Sequence, residues 1–438
     1  MKRNNILIYL LIVISLIIIS CLSQTELDGI WGYGFSYNIA SGLIPYRDFN
    51  MVVGPLYSII FSIFIKLFGN YFLAFSIQNA LIYGLILLPI YKKIGWKSIY
   101  IILLLGCCLT TFGYNTFCAM LVILIMYVED SDYKYKTILT GILIGSIIMI
   151  KHNIGICLLI VYLLNNYKKK LQILSVFIPI IPTIIYLMIN NAFYEYIDFC
   201  YLGLGNFLDN LYVDIFSVPL IIYIFYFTIK DYIKNKDKII LYVFAFQIIL
   251  FPIFDQGHVL PALIPFTYYL FIKDGYFKLK FYLKYFIVIG IIVNTIIALF
   301  ITRINMNHDY LLLQRVSTKT KVYLEMYSKY LDVNTDKKVY LLLDNAYLIK
   351  LYRNENPTFY DLINQGNLGS DEEKYIDNIK KECSNNKCMF ILDKRYFVKK
   401  SYGDQRLEIF KEYVTNNTKY LETLPSNDRV YINYTNEE

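Results

Sequence analysis

ELDGIWGYGFSYNIASGLIPYRDFNMVVGPLY, residues 26–57, decides how this chain reads. It follows one apolar run and precedes a long series of others. It carries acids, an arginine, paired Gly and Pro, and many aromatic rings. A polar, aromatic loop fixed between membrane helices is where an integral membrane enzyme keeps its chemistry. The rest of the chain is expected to hold that loop in place.

The 438 residues are 57% hydrophobic and only 17% charged, whereas soluble domains are about half apolar and about a quarter charged. Mean hydropathy is +0.46. Such a chain cannot hide its apolar surface in one globular core, so part of its solvent is lipid. The 44 Tyr and 30 Phe suit rings that line bilayer interfaces or sugar-binding clefts. The formal charge is +8, but the basic residues sit in short loops between apolar runs. That distribution describes topology and excludes nucleic-acid binding.

Apolar runs fall at 6–22, 52–68, 71–91, 98–113, 116–128, 137–150, 154–166, 173–189, 211–229, 239–253, 260–272 and 285–302. Five lysine clusters separate them: Lys92, Lys93 and Lys97; Lys134 and Lys136; Lys168 to Lys170; Lys230, Lys234, Lys236 and Lys238; and Lys273, Lys278, Lys280 and Lys284. The positive-inside rule assigns all five to the cytoplasm, together with Lys2 and Arg3 at the N-terminus. The alternate loops then face out: 23–51, the Tyr114-Asn115 tip, the Lys151-His152-Asn153 tip, 190–210, and Phe254 to His258. This count requires that one early run not cross. The run 52–68, which carries Lys66, is assigned to the interface or to a re-entrant hairpin, leaving about eleven crossings. The start also resembles a signal peptide with a lipoprotein-like Ile18-Ile19-Ser20-Cys21 box. An uncleaved first helix is preferred because more spans follow.

The tail, 303–438, is charged and alternates strand-like pieces (338–344, 389–393, 429–434) with helical patterns (318–331, 405–415). It is expected to be a small extracytoplasmic α/β domain. Cys383 and Cys388 would pair if that domain lies in an oxidising compartment. Cys21, Cys107, Cys108, Cys118 and Cys157 lie in apolar runs and read as small hydrophobes.

Asp28 follows the first helix at the outer interface. There it reads either as a general base for an acceptor hydroxyl or as a helix cap or solvated loop acid; Glu26 is its neighbouring candidate. Arg47 beside Asp48 reads as a phosphate fork or as an ion pair that fixes the loop. Lys151 and His152 interrupt an apolar stretch. As the tip of a hairpin with arms too short for the bilayer, Lys151 would be a recessed cation, suited to a lipid-linked phosphate; the alternative is a snorkelling lysine. Asp255 and His258 sit between two short apolar runs, and Glu195, Asp198 and Asp209 lie among aromatics of the 190–210 loop. His152, His258 and His308 all fall on the outer side. They permit a divalent metal and do not require one, so no cofactor is assigned.

Taken together these residues resemble the polytopic GT-C glycosyltransferases, in the family-39-like branch related to protein mannosyltransferases and aminoarabinose transferases. The pattern is an acid after the first helix (Asp28), a helical stretch ending in Ala40-Ser41-Gly42, and a Pro-aromatic loop (Pro45, Tyr46, Arg47, Asp48, Phe49). Gly54-Pro55-Leu56 and Leu67-Phe68-Gly69 follow. The likeness covers most of 1–302. Gly29 stands where the family often has a second acid, and Gly54-Pro55 where it often has Lys-Pro-Pro. The resemblance implies a GT-C-like transmembrane catalytic domain (1–302) with the soluble domain (303–438) attached, in the cell membrane. It implies inverting transfer of a sugar from a polyprenyl-phosphate donor to an extracytoplasmic glycan, lipid or protein. Asp28 then matches the base, with Glu26, Arg47, Asp48, Lys151, His152, Asp255 and His258 around the substrate. A lipid-linked glycan flippase and a polysaccharide polymerase are the rival readings.

Overall fold

The computed structural model of the chain describes residues 3–22, 27–69, 72–108, 110–203, 212–214, 217–251, 253–273, 308–311, 314–362, 368–399 and 407–433. Glu26, Asp209, the run 285–302 and the expected domain boundary at 302/303 lie outside the described residues.

Helices occupy the apolar runs. They are α1 Arg3–Leu22, α2 Leu27–Ala40, α3 Leu56–Phe68, α4 Phe72–Ile94, α5 Ile99–Cys107, α6 Tyr114–Glu129, α7 Lys136–Ile148 and α8 His152–Asn166. Helices Phe177–Ile189, Val218–Asn235, Ile240–Phe246 and Gln256–Ile272 follow. Phe72–Cys107 and Leu171–Ile189 are long and apolar enough to cross a bilayer, and only 22% of the second is buried. Its Phe177, Ile178, Ile181 and Ile185 are exposed, as are Leu7, Leu10, Leu11 and Ile14 on α1. Apolar surface that continuous is not left in water; lipid is its solvent, and the fold is that of a multi-pass membrane protein.

The stretch 23–51, expected as an outer loop containing a helical stretch that ends at Ala40-Ser41-Gly42, is helical over Leu27–Ala40. Gly29, Gly32 and Gly34 lower its intrinsic propensity, and tertiary packing of rings outweighs that. Tyr33 lies edge-on to Phe72 and Phe75, with ring centroids 5.3 and 5.7 Å away. A side chain at Gly34 would stand 2.3 Å from the Tyr347 ring. The helix stops at Ala40-Ser41-Gly42, where Gly42 takes φ +91°, as the sequence pattern expects.

The lysine-bearing helix ends meet at one end of the bundle. Lys93 pairs with Asp130 at 2.8 Å and Lys273 with Asp237 at 2.8 Å. Lys97 lies over the Phe271 ring at 5.8 Å, and Lys169 donates to Thr137 at 2.9 Å. The Tyr269 hydroxyl donates to Asp231 and Asp237. The N-terminal ends of α6, α8 and Gln256–Ile272 therefore lie at the opposite end.

By contact the chain forms two compact units: 1–33, 53–186 and 212–315, and 34–52, 187–211 and 316–438. The first also carries the short strands β1 Tyr212–Val213 and β2 Ile253–Phe254, which pair in parallel. Strands β3 His308–Leu311 and β4 Gln314–Ser317 form a separate two-stranded sheet. The second unit is built on β5 Lys338–Leu342, β6 Cys388–Leu392, β7 Lys419–Thr423 and β8 Arg429–Ile432, in the order β5-β6-β8-β7. The first pair is parallel and the others antiparallel. Strand β6 is buried throughout, as its unbroken apolar run CMFIL requires. Cys383 and Cys388 are joined in a disulfide across a Cα–Cα distance of 5.6 Å.

Three stretches far apart in sequence are stitched together within this second unit. The Tyr37 hydroxyl donates to the Asn354 carbonyl (3.2 Å), Asn38 Nδ2 to the Pro357 carbonyl (2.9 Å) and Asn50 Nδ2 to the Leu362 carbonyl (2.7 Å). Asp198 accepts from the Ser370 amide (3.2 Å) and hydroxyl, and Phe199 stacks on Phe359.

Within the first unit, Gly54 is where α3 docks on the α7–α8 turn. A Cβ there would sit 2.1 Å from the Met149 carbonyl oxygen. Gly54→Ala is therefore expected to destabilise the protein by about 1–3 kcal/mol through overpacking, read as a lower melting temperature in detergent. An unchanged melt would contradict this docking.

Candidate functional site

Lys151 stands at the tip between α7 and α8, as the hairpin reading expects. Helix α7 has 13 residues and α8 has 15, about 20 Å each, short of a core about 30 Å thick. Gly155 lets the arms close, since a Cβ there would lie 2.5 Å from Ile148. The turn is also held from α3: the Gly54 amide donates to the Ile150 carbonyl (2.9 Å) and the Leu56 amide to the Met149 carbonyl (3.1 Å). These bonds satisfy donors at the start of α3 that the helix itself cannot. The motif Gly54-Pro55-Leu56 thus positions the lysine tip.

Lys151 Nζ donates to Asn115 Oδ1 at 2.7 Å and lies 5.6 Å from the centre of the Tyr114 ring. Both partners open α6, whose N-cap is Gly113. The side chain of Thr116 ties that first turn together, bonding the Gly113 amide (3.1 Å) and meeting the Tyr83 hydroxyl (3.1 Å). The Asn115 amide oxygen orients the ammonium. In an apolar surround that charge acts strongly on an anion, and the N-terminus of α6 adds to the same field. His152, the first residue of α8, is buried beside it. Sequence reasoning left Asn115 out of the site. The available signal was its place at a helix start on the same expected face as Lys151.

The other candidates are placed as follows. Asp28 is the second residue of α2, so the acid lies in the first turn of a helix and not in a loop. Asp255 caps the helix Gln256–Ile272: its Oδ1 accepts from the His258 amide at 3.0 Å and meets the ring Nδ1 at 2.8 Å. This pair is sufficiently explained as a cap. Asp198 is used within the second unit, as described above. His308 lies in β3. Among the described residues no group of three or more His, Cys, Asp or Glu is arranged to hold a metal.

Arg47 and Asp48 form a two-pronged pair, Nε to Oδ1 and a terminal nitrogen to Oδ2, both at 2.8 Å. Asp48 also accepts from the Ile44 amide at 2.7 Å. The hydrogen bonds from Arg47 hold its carboxyl below the ordinary Asp value. Tyr46, fully buried at φ +68°, turns the chain there, edge-on to Tyr196. The loop-fixing reading of the Arg47–Asp48 pair accounts for this geometry.

Comparison with known proteins finds no matching family model and no match among curated proteins. Solved structures that share the fold include ArnT from Cupriavidus metallidurans bound to undecaprenyl phosphate. Its TM-score is 0.58 at 11% identity, over 100% of this chain and 99% of that one. The same protein in the apo state gives 0.55 at 12% identity, over 99% and 97%. The chain therefore shares the fold of ArnT.

The turn that receives Asn50 contains Asp361, whose carboxyl accepts from the Thr358 amide (2.7 Å) and hydroxyl (3.0 Å). Burial pushes its pKa above the ordinary 3.8. The native state then binds this proton more tightly than the unfolded chain, so stability falls as pH rises from 3.8 through the raised value. Asp361→Asn keeps an acceptor and removes the buried charge. At about pH 7 the variant should melt higher than the parent, and the gain should vanish at about pH 3, where both are neutral. A difference that does not change with pH would contradict this account.

Proposed function

We propose that the chain is a glycosyltransferase of the cell membrane. It would move a sugar from a polyprenyl-phosphate donor to an extracytoplasmic acceptor, whether glycan, lipid or protein. The observation that carries this reading is Lys151, an ammonium held by a neutral amide at a short-armed hairpin tip. It stands within a fold shared with a protein crystallised with undecaprenyl phosphate.

In this reading the tip end of the bundle faces the outer leaflet, and the lysine clusters lie in the cytoplasm with the N-terminus. The disulfide in the second unit agrees with an oxidising exterior. The donor phosphate sits against Lys151, oriented by Asn115. Asp28, at the interface, takes the proton of the acceptor hydroxyl. The acceptor oxygen attacks the anomeric carbon from the face opposite the phosphate, and the bond from that carbon to the phosphate oxygen breaks. The phosphate leaves with the electron pair, and its developing charge is stabilised by the fixed ammonium. Inversion follows from this single displacement. Arg47, engaged by Asp48, shapes the loop, while His152 lines the tip and His258 with Asp255 caps a neighbouring helix.

The two roles separate in the laboratory. Lys151→Met should weaken retention of polyprenyl phosphate by the purified protein at least tenfold, about 1.4 kcal/mol, measured by native mass spectrometry. Asp28→Asn should retain the lipid and lose sugar transfer by about 10²–10⁴-fold. If Lys151→Met binds the lipid as the parent does, the phosphate role is wrong. If Asp28→Asn transfers at the parent rate, the base is another group.

A further inference from the structure

The opposite end of the first unit carries a second charged feature that sugar transfer does not use. Residues 91–98, 129–136, 167–170, 230–238 and 273 hold thirteen lysines, no arginine and five carboxylates. Four of the five carboxylates are engaged within the protein. Asp130 takes Lys93, Asp237 takes Lys273, Asp231 accepts from Tyr269, and Glu129 accepts from Thr140. Among the described residues no carboxylate pairs with Lys134, Lys168, Lys230, Lys234, Lys236 or Lys238. Internal pairing therefore leaves a surplus of positive charge spread around this end.

Several of these lysines share one geometry. Lys134 lies 5.3 Å from the centre of the Tyr135 ring, Lys168 5.6 Å from Tyr167, Lys230 5.1 Å from Tyr226 and Lys236 5.4 Å from Tyr232. The rings themselves are exposed; Tyr135, Tyr167 and Tyr232 stand at or near helix ends, and Tyr226 about midway along Val218–Asn235. Tyrosine at a helix end settles at the headgroup level of a bilayer. An ammonium held over such a ring is kept at that level instead of reaching into bulk water. Lysine, a compact point charge, suits a single phosphodiester oxygen and has no need of a second prong.

We propose that this lysine–tyrosine collar binds the headgroups of anionic phospholipids in the adjoining leaflet, selecting them over zwitterionic ones. Charge complementarity fixes the class of partner. The level of the rings fixes its source as the lipid headgroup and not phosphate in solution. Each lysine near an anionic surface contributes attraction that weakens with salt. The collar lies at the far end of the helices from Lys151, so this binding stands apart from the proposed donor site.

The test uses the full chain in nanodiscs of phosphatidylcholine mixed with phosphatidylglycerol, then native mass spectrometry of the lipids it keeps. The expected result is at least threefold enrichment of phosphatidylglycerol over the bulk ratio, lost at high salt. The combined variant Lys134→Gln, Lys168→Gln, Lys234→Gln and Lys238→Gln should return the retained lipids to the bulk ratio. If that variant does not fold, single substitutions and a salt titration of the parent give the same reading, each lowering the enrichment in part. Retention at the bulk ratio by the parent overturns the proposal. So does displacement of the lipid by millimolar inorganic phosphate, which would mean a site for the free anion.

Discussion

The contact between Lys151 and Asn115 is the interaction on which the rest of the first unit is organised. A charged head group inside an apolar bundle costs free energy unless it is held by polar partners. Here a short hairpin carries the lysine, a glycine-packed start of α3 braces the hairpin turn, and the opening turn of α6 supplies the amide and the ring. Each of these pieces has a local reason in the sequence: Gly155 for the close arms, Gly54 for the close carbonyl, Gly113 and Thr116 for the start of α6. Together they fix the position of one cation at the hairpin tip.

The second unit solves a different problem. The stretch 34–52 cannot bury its polar side chains against lipid-facing helices. It places Tyr37, Asn38 and Asn50 on carbonyls of 354–362 instead. The 187–211 stretch does likewise through Asp198 and Phe199. The tail is therefore part of the frame that shapes the Arg47 loop, and more than a soluble appendage. Its mixed sheet gives the rigid base that a loop with a left-handed Tyr46 requires.

Much of this was legible from local pattern. Among the described residues most apolar runs coincide with helices, because periodicity and length are local properties; the run 211–229 is offset, its helix being Val218–Asn235. The tail strands 338–342, 388–392 and 429–432 fall where β-rich runs alternate with helical ones. Lys151 was legible because a lone cation in thirty apolar residues has few explanations. What was not legible depended on contacts distant in sequence. The start of α2 was hidden by glycines, of which Gly34 admits the Tyr347 ring. Asn115 carries no sign of its role until α8 is laid beside α6. The carbonyl latches of Asn38 and Asn50 join residues more than three hundred positions apart, and no periodicity records them. The Asp255–His258 pair read as a candidate site because it looks like one in sequence; its geometry is that of a cap.

The most direct test of the central claim is photo-crosslinking with a polyprenyl phosphate that carries its reactive group next to the phosphate, followed by peptide mapping. The expected labels fall on residues 113–116 and 149–153, and disappear in Lys151→Met. Labels confined to the lysine-rich end, or unchanged in that variant, would contradict the assignment of Lys151 as the anchor of the donor phosphate.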